Sequence, residues 1–237
     1  MNAYLKELKE ITLKKKNYFC TWNGGHDSGL SLYYALKNNQ ILCLIASLQD
    51  FGNQLKANFF APAILRAQAD QLNIPLLIFN ANSETFSDSF THTLNSIKKH
   101  AIIGGYFPLI NHSEQKDQFT QLCQKNELEA LFPLWQKDKE ALLSEFIEMG
   151  FKAKIIAVNE RFLTRDFLTK DLDKEVIHEL RNRKVDLFGE NGEFQTILYA
   201  APFFKTPLHF KEGDINLKNG YWVVDLNLIP TPDTNGK

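Results

Sequence analysis

Three cysteines, two methionines and no excess charge of either sign mark this 237-residue chain by what it lacks. Lys and Arg number 27 against 28 Asp and Glu, a formal net charge of −1. That balance excludes a non-specific nucleic-acid coat, whose affinity comes from a strong basic excess over phosphate. Cys20, Cys43 and Cys123 form no CxxC and no spacing suited to zinc or to a disulfide framework. Scattered thiols in odd number fit a reducing cytosol, where cysteine serves as a small apolar residue. No stretch approaches the roughly 18 uninterrupted apolar residues of a membrane span. Residues 1–10 are charged throughout and lack the apolar run of a secretory leader. A cytoplasmic location with no membrane partner is the expectation.

What is present is ordinary globular material, 44% hydrophobic and 23% charged, with 19 Phe. Such density of large apolar side chains excludes disorder. Apolar residues recur at helical spacing over 3–12, and Lys14–Lys15–Lys16 reads as a solvated turn rather than a polyanion patch. Residues 18–22 read as a strand and 30–36 as a helix, with a short polar loop between them. The run 41–46 is continuously apolar, as in a parallel strand covered on both faces. A helix over 57–72 follows, then strand 76–79, helix 84–99, strand 101–104, helix 114–125 and strand 128–131. Strands alternating with helices predict an α/β fold: a Rossmann-like, five-stranded, mostly parallel sheet with helices on both faces. The remainder predicts helix 137–149, strand 153–158, helix 172–182, strand 197–199 and antiparallel β at 209–210 and 221–226. This second half reads as a smaller C-terminal α+β domain. The expected organisation is therefore 1–132, 133–229, and a flexible tail over 230–237.

The loop after the first strand is Asn23-Gly24-Gly25-His26-Asp27-Ser28. Adjacent glycines let backbone turn sharply and approach an anion without Cβ obstruction. The amides that follow lie at a helix N-terminus, where unpaired N–H groups and the helix dipole favour phosphate. Ser28 is placed to donate to a phosphate oxygen, and Asp27 to hold the loop or help carry Mg2+. Later in the chain, Glu190 and Glu193 flank Asn191-Gly192. As plain structure that is a type I′ turn with both carboxylates in water. As chemistry, it offers carboxylates to hold or deprotonate ammonium, or to position a metal. Of six histidines only His26 sits in a motif; His92, His100, His112, His178 and His209 read as dispersed. Phe59–Phe60 and Phe203–Phe204 read as packing residues.

The string at 23–28 resembles the Ser-Gly-Gly-x-Asp-Ser signature of PP-loop ATP pyrophosphatases, which have the HUP-type Rossmann-like fold. Gly189-Glu190-Asn191-Gly192-Glu193-Phe194-Gln195-Thr196 resembles the Gly-Glu-x-Gly-Glu-aromatic-x-Thr block of the diphthine–ammonia ligase family. Phe132-Pro133-Leu134-Trp135 and Leu72-Asn73-Ile74-Pro75 resemble two further segments of that family, in order. The resemblance implies ATP bound at Asn23, Gly24, Gly25, His26, Asp27 and Ser28, with Mg2+ on Asp27. It implies catalytic roles for Asp27, Glu190 and Glu193, and substrate contacts at Gly189, Asn191, Gly192 and Thr196. The reaction implied is adenylylation of a carboxylate, then displacement of AMP by ammonia. In the family the carboxylate is that of diphthine, a modified histidine on a translation elongation factor. A homodimer is compatible with the same resemblance, and nucleic acid is not an expected partner. The alternatives on this fold are a non-catalytic adenine-nucleotide-binding regulator and a tRNA-modifying PP-loop enzyme.

Departures from the family pattern carry expectations of their own. Asn23 replaces the usual Ser, His26 the usual Lys, Gly104–Gly105 a Gly-Asp, and Gln136 a Gly; a His-Arg pair is missing near 113–116. An imidazole there is mostly neutral near pH 7 unless the phosphates raise its pKa. ATP binding is then expected to weaken as pH rises through that value.

Overall fold

The computed structural model describes residues 15–49, 62–82 and 84–229. The predicted helix over 3–12, the start of helix 57–72, Phe59–Phe60 and the tail 230–237 lie outside the described residues. The first half alternates β1 (Asn17–Thr21), α1 (His26–Asn38), β2 (Gln40–Gln49), α2 (Pro62–Leu72), β3 (Leu76–Ala81), α3 (Phe86–Ile97), β4 (Ile102–Tyr106), α4 (Ser113–Lys125) and β5 (Glu129–Leu131). All pairings in this sheet are parallel, in the order β3-β2-β1-β4-β5. The central strand β1 therefore has the chain crossing to opposite sides before and after it. The mouth beyond its C-terminal end is the switch point where open α/β sheets bind ligands.

The second half adds α5 (Lys139–Glu148), β6 (Lys152–Asn159), α6 (Lys174–Asn182), β7 (Phe194–Ala200), β8 (His209–Lys218) and β9 (Tyr221–Ile229). Its four strands form an antiparallel sheet in the order β7-β6-β9-β8. One core runs through both halves: Leu30 and Leu32 of α1 pack in the same buried cluster as Phe146, Ile155, Phe194 and Leu198. A second cluster, with Phe19, Phe90 and Phe107, fills the opposite face of the parallel sheet. Helix α1 is thus a shared element, covered by its own sheet and by β7. Among the described residues no helix is long and apolar enough to cross a membrane.

Two expectations shift in detail. The predicted two-residue strand at 209–210 extends to Lys218, since exposure along nearly all of β8 hides its alternation. The type I′ turn lies elsewhere: Asn219 (φ 50°) and Gly220 (φ 81°) make the two-residue β8–β9 connection, both left-handed. In Asn191–Gly192 only Gly192 takes positive φ.

Candidate active site

The loop at 23–28 is held by its own side chains. Gly24 (φ 80°) makes the turn, and a Cβ there would lie 2.8 Å from both Gln68 Oε1 and Leu65 Cδ2. Asn23 then braces the loop three ways. Its Oδ1 accepts from Gly25 N–H at 2.8 Å and from Ser28 Oγ at 2.6 Å, and its Nδ2 donates to Asp27 Oδ2 at 2.8 Å. A serine has a single short hydroxyl and cannot do all three. The Ser28 hydroxyl, expected to face phosphate, is fully buried and turned back onto Asn23 and the Gly25 carbonyl. Asp27 is half-buried at the cavity wall, and desolvation raises its pKa; the Asn23 amide and the Asp27 and Ser28 N–H groups oppose the rise, while Glu190 adds to it.

His26 is not where a phosphate-binding lysine would act. Its ring is 3% exposed and surrounded by Phe146, Phe188 and Phe194, with the Phe188 centroid 4.7 Å away. Burial pulls its pKa down to about 3, against a weaker upward pull from Asp186 and Glu190. The shift runs opposite to the rise expected beside phosphate, because desolvation outweighs the pull of the two nearby carboxylates. His26 instead fastens the loop to the second half. Its backbone N–H donates to Thr196 Oγ1 at 3.2 Å, and its Nδ1 lies 2.7 Å from the same oxygen. Thr196, expected to touch substrate, has this hydroxyl engaged by the loop.

Gln68, in α2, sits in no local motif that marks it. Fully buried, it donates to the carbonyls of Gly24 (3.0 Å) and Leu198 (2.7 Å) and accepts from Trp22 Nε1 (2.9 Å). The Gly24 carbonyl also accepts from Leu198 N–H at 2.8 Å. Loop, helix and second sheet are thus joined at one amide.

The acidic block is equally engaged. Glu193 is buried, and its carboxylate accepts from both the backbone and the side-chain amide of Asn191, each at 3.0 Å. It is neither in water, as the plain-turn reading expects, nor open to a ligand. Glu190 Oε1 faces the N–H groups of Ile110 and Asn111 at 3.3 Å, and its Oε2 pairs with Lys139 Nζ at 2.6 Å. Lys139 also pairs with Asp186, whose other oxygen accepts from Phe188 N–H at 2.9 Å. Burial acts against both charges, but their mutual pairing outweighs it: Asp186 is held below its ordinary pKa and Lys139 above. His112, dispersed in the sequence, comes to this cluster, its Nε2 2.8 Å from the Glu190 carbonyl oxygen. Glu190 therefore clips the segment after β4 to the second half.

Two family departures acquire physical reasons. A Cβ on Gly105 would fall 2.0 Å from Phe19 Cζ, so no Asp fits while Phe19 fills that space. Gln136, where the family has Gly, sits at φ 55° and accepts the left-handed strain.

These elements enclose a cavity of about 1040 Å3. Its floor is the loop, from Asn23 to Asp27. One arm runs past Ile45 and Ser47 to Phe79, Phe86 and Phe90, and the facing wall comes from the turns around Arg161, Asn191 and Gly220. Of the proposed site residues, Asn23, Gly25, His26, Asp27, Gly189, Glu190, Asn191, Gly192 and Thr196 line it. Gly24, Ser28 and Glu193 stand behind them.

The sequence matches the family models of the diphthamide synthase N-terminal domain over residues 17–130 and of the C-terminal domain over 138–227. The chain belongs to the diphthamide synthase family. It is similar to the diphthine–ammonia ligase of Schizosaccharomyces pombe, 33% identical over 104 residues, covering 43% of this chain and 17% of that protein. The Saccharomyces cerevisiae enzyme is 24% identical over 229 residues, covering 77% of this chain and 33% of its own length. The chain thus spans about a third or less of these two relatives. Among solved structures it is similar to a predicted subunit of tRNA methyltransferase from Methanocaldococcus jannaschii. That likeness has 15% identity and a TM-score of 0.38, over 78% of this chain and 99% of that one.

Proposed function

We propose that this chain binds ATP at the 23–28 loop and uses it to join ammonia to a substrate carboxylate, as its diphthine–ammonia ligase relatives are named for doing. The observation that carries the reading is the single cavity in which the loop, an aromatic arm and a wall of the second half meet. Polyphosphate lies on the loop, at the N-terminus of α1, where the helix dipole favours negative charge. Adenine enters the arm between Ile45, Phe79 and Phe86. The loop backbone, rather than a lysine, stabilises charge on the departing pyrophosphate. Phosphate takes the place of the Asn23 carbonyl as acceptor for the Gly25 N–H. The substrate carboxylate attacks the α-phosphorus, and ammonia displaces AMP from the acyl-adenylate.

Among the described residues no cluster of three or more His, Cys, Asp or Glu is arranged to hold a metal. Asp27 is the loop's one carboxylate, and a single carboxylate fits Mg2+ carried in on nucleotide phosphates. Bound there, the ion would neutralise phosphate charge. Glu190 and Glu193 act by holding the loops that bear the substrate, not as bases.

The test is an assay for AMP and carboxamide formation. It contains the purified chain, ATP, Mg2+, ammonium, and diphthine-bearing elongation factor from cells lacking their own ligase. AMP release that depends on both ammonium and the factor is the expected result. ATP binding without AMP release would instead support a nucleotide-binding regulator.

A further inference from the structure

An anionic substrate must approach an anionic nucleotide in a cavity whose walls carry Asp27, Glu160 and Glu190. Glu190 is neutralised by Lys139. Among the described residues, the only lysine or arginine on the cavity wall is Arg161. It is exposed, and no described carboxylate lies within ion-pair distance of it. Unpaired arginine on a concave wall contrasts with the cavity's carboxylate Glu190, which is ion-paired to Lys139, and with Asp27, which accepts from Asn23.

The backbone beneath Arg161 is rigidly built. Three turns converge there: the one leaving β6, the Asn191–Gly192 turn before β7, and the Asn219–Gly220 turn between β8 and β9. Asn159 N–H donates to the Glu193 carbonyl at 2.9 Å, and Glu160 N–H to the Gly220 carbonyl at 3.0 Å. The Tyr221 hydroxyl donates to the Gly192 carbonyl at 2.5 Å, and Arg161 N–H to Asn159 Oδ1 at 3.0 Å. The platform fixes where the Arg161 side chain starts, and the planar guanidinium fork matches a carboxylate in bidentate geometry. Its place on the second half's wall, across the cavity from the loop, separates it from the proposed phosphate position. Beside it Phe162 is 47% exposed, an apolar rim for the body of a large substrate.

We propose that Arg161 is the residue that recognises the substrate carboxylate and holds it for attack. This rests on the ligase reading above. No residue in the sequence motifs supplies this charge: His26 is neutral and buried, and Lys139 is engaged.

The test uses the AMP-release assay with wild type, Arg161→Ala and Arg161→Lys, varying elongation factor and ATP separately. Arg161→Ala should raise KM for the carboxylate substrate at least tenfold and leave KM for ATP within twofold. Arg161→Lys should recover part of the loss, as a point charge replaces the fork. Both variants should melt like wild type, because the side chain is exposed and in no ion pair among the described residues. Unchanged saturation by the carboxylate substrate in Arg161→Ala would overturn the assignment while leaving the ligase reading standing. An equal rise in both KM values would also overturn it. A wild-type protein that releases no AMP would overturn the ligase reading, and the assignment with it.

Discussion

Position 26 carries an imidazole in a hole lined by Phe146, Phe188 and Phe194, and position 27 a half-buried carboxylate beside it. Their effects on stability have opposite signs. With a folded pKa near 3 against an ordinary 6.5, His26 is protonated in the unfolded chain and neutral in the native one between those values. Stability is therefore complete above about pH 6.5 and falls as pH drops through the window, by several kcal/mol in order of magnitude. Urea unfolding should show this loss between pH 6.5 and 4 in wild type, and much less of it in His26→Gln. In ATP titrations from pH 6 to 8.5 the two proteins should give profiles of the same shape. For Asp27 the folded pKa is raised by burial, so the native state holds the proton longer. That lowers stability as pH rises above the ordinary carboxylate value. Asp27→Asn should consequently melt above wild type at pH 7, with the gap closing toward pH 4, while its ATP affinity falls. The loop motif itself was legible because its residues are contiguous. The burial of His26 was not, because the three aromatic rings around it come from positions 146, 188 and 194.

Elements were legible in kind and less so in extent. The continuous apolar run at 41–46 announced β2, and the strand–loop–helix order placed the switch point at the end of β1. What no local pattern showed is how elements lock together. Gln68 reads as a polar residue in a helix, yet it bonds Trp22, Gly24 and Leu198, the last 130 positions away. Replacing it by Leu would leave the Trp22 indole N–H and the Leu198 carbonyl buried without partners. The expected cost is about 2–4 kcal/mol of folding stability, read by urea unfolding. The same blindness hid the Asp186–Lys139–Glu190 cluster, whose members are 47 and 51 positions from Lys139 and meet only in the fold. It also gave the turn preference of Asn-Gly to 191–192, when the β8–β9 hairpin at 219–220 is the connection that needs both left-handed residues.

At the scale of the whole molecule, the proposed function asks a chain with 27 basic and 28 acidic groups to bind a polyanion without a net basic excess. It does so, on this account, with backbone amides at a helix terminus, a loop braced by Asn23, and one arginine on the opposite wall. Both halves are needed, since β7 bonds the loop through Thr196 and Leu198 and shares its core. The family models likewise match both halves, over residues 17–130 and 138–227. The central claim is that ATP sits on the backbone of the 23–28 loop, and calorimetric titration of ATP into wild type and Gly25→Val tests it most directly. Gly25 is extended (φ −88°, ψ 179°), so Val is tolerated by the backbone, but its Cβ would lie 2.8 Å from Asp27 Oδ1 and 3.1 Å from Asn23 Oδ1. The expected result is at least a tenfold loss of ATP affinity, in a protein destabilised by about 1–3 kcal/mol of overpacking but folded at the titration temperature. Equal affinity in the two proteins would contradict it.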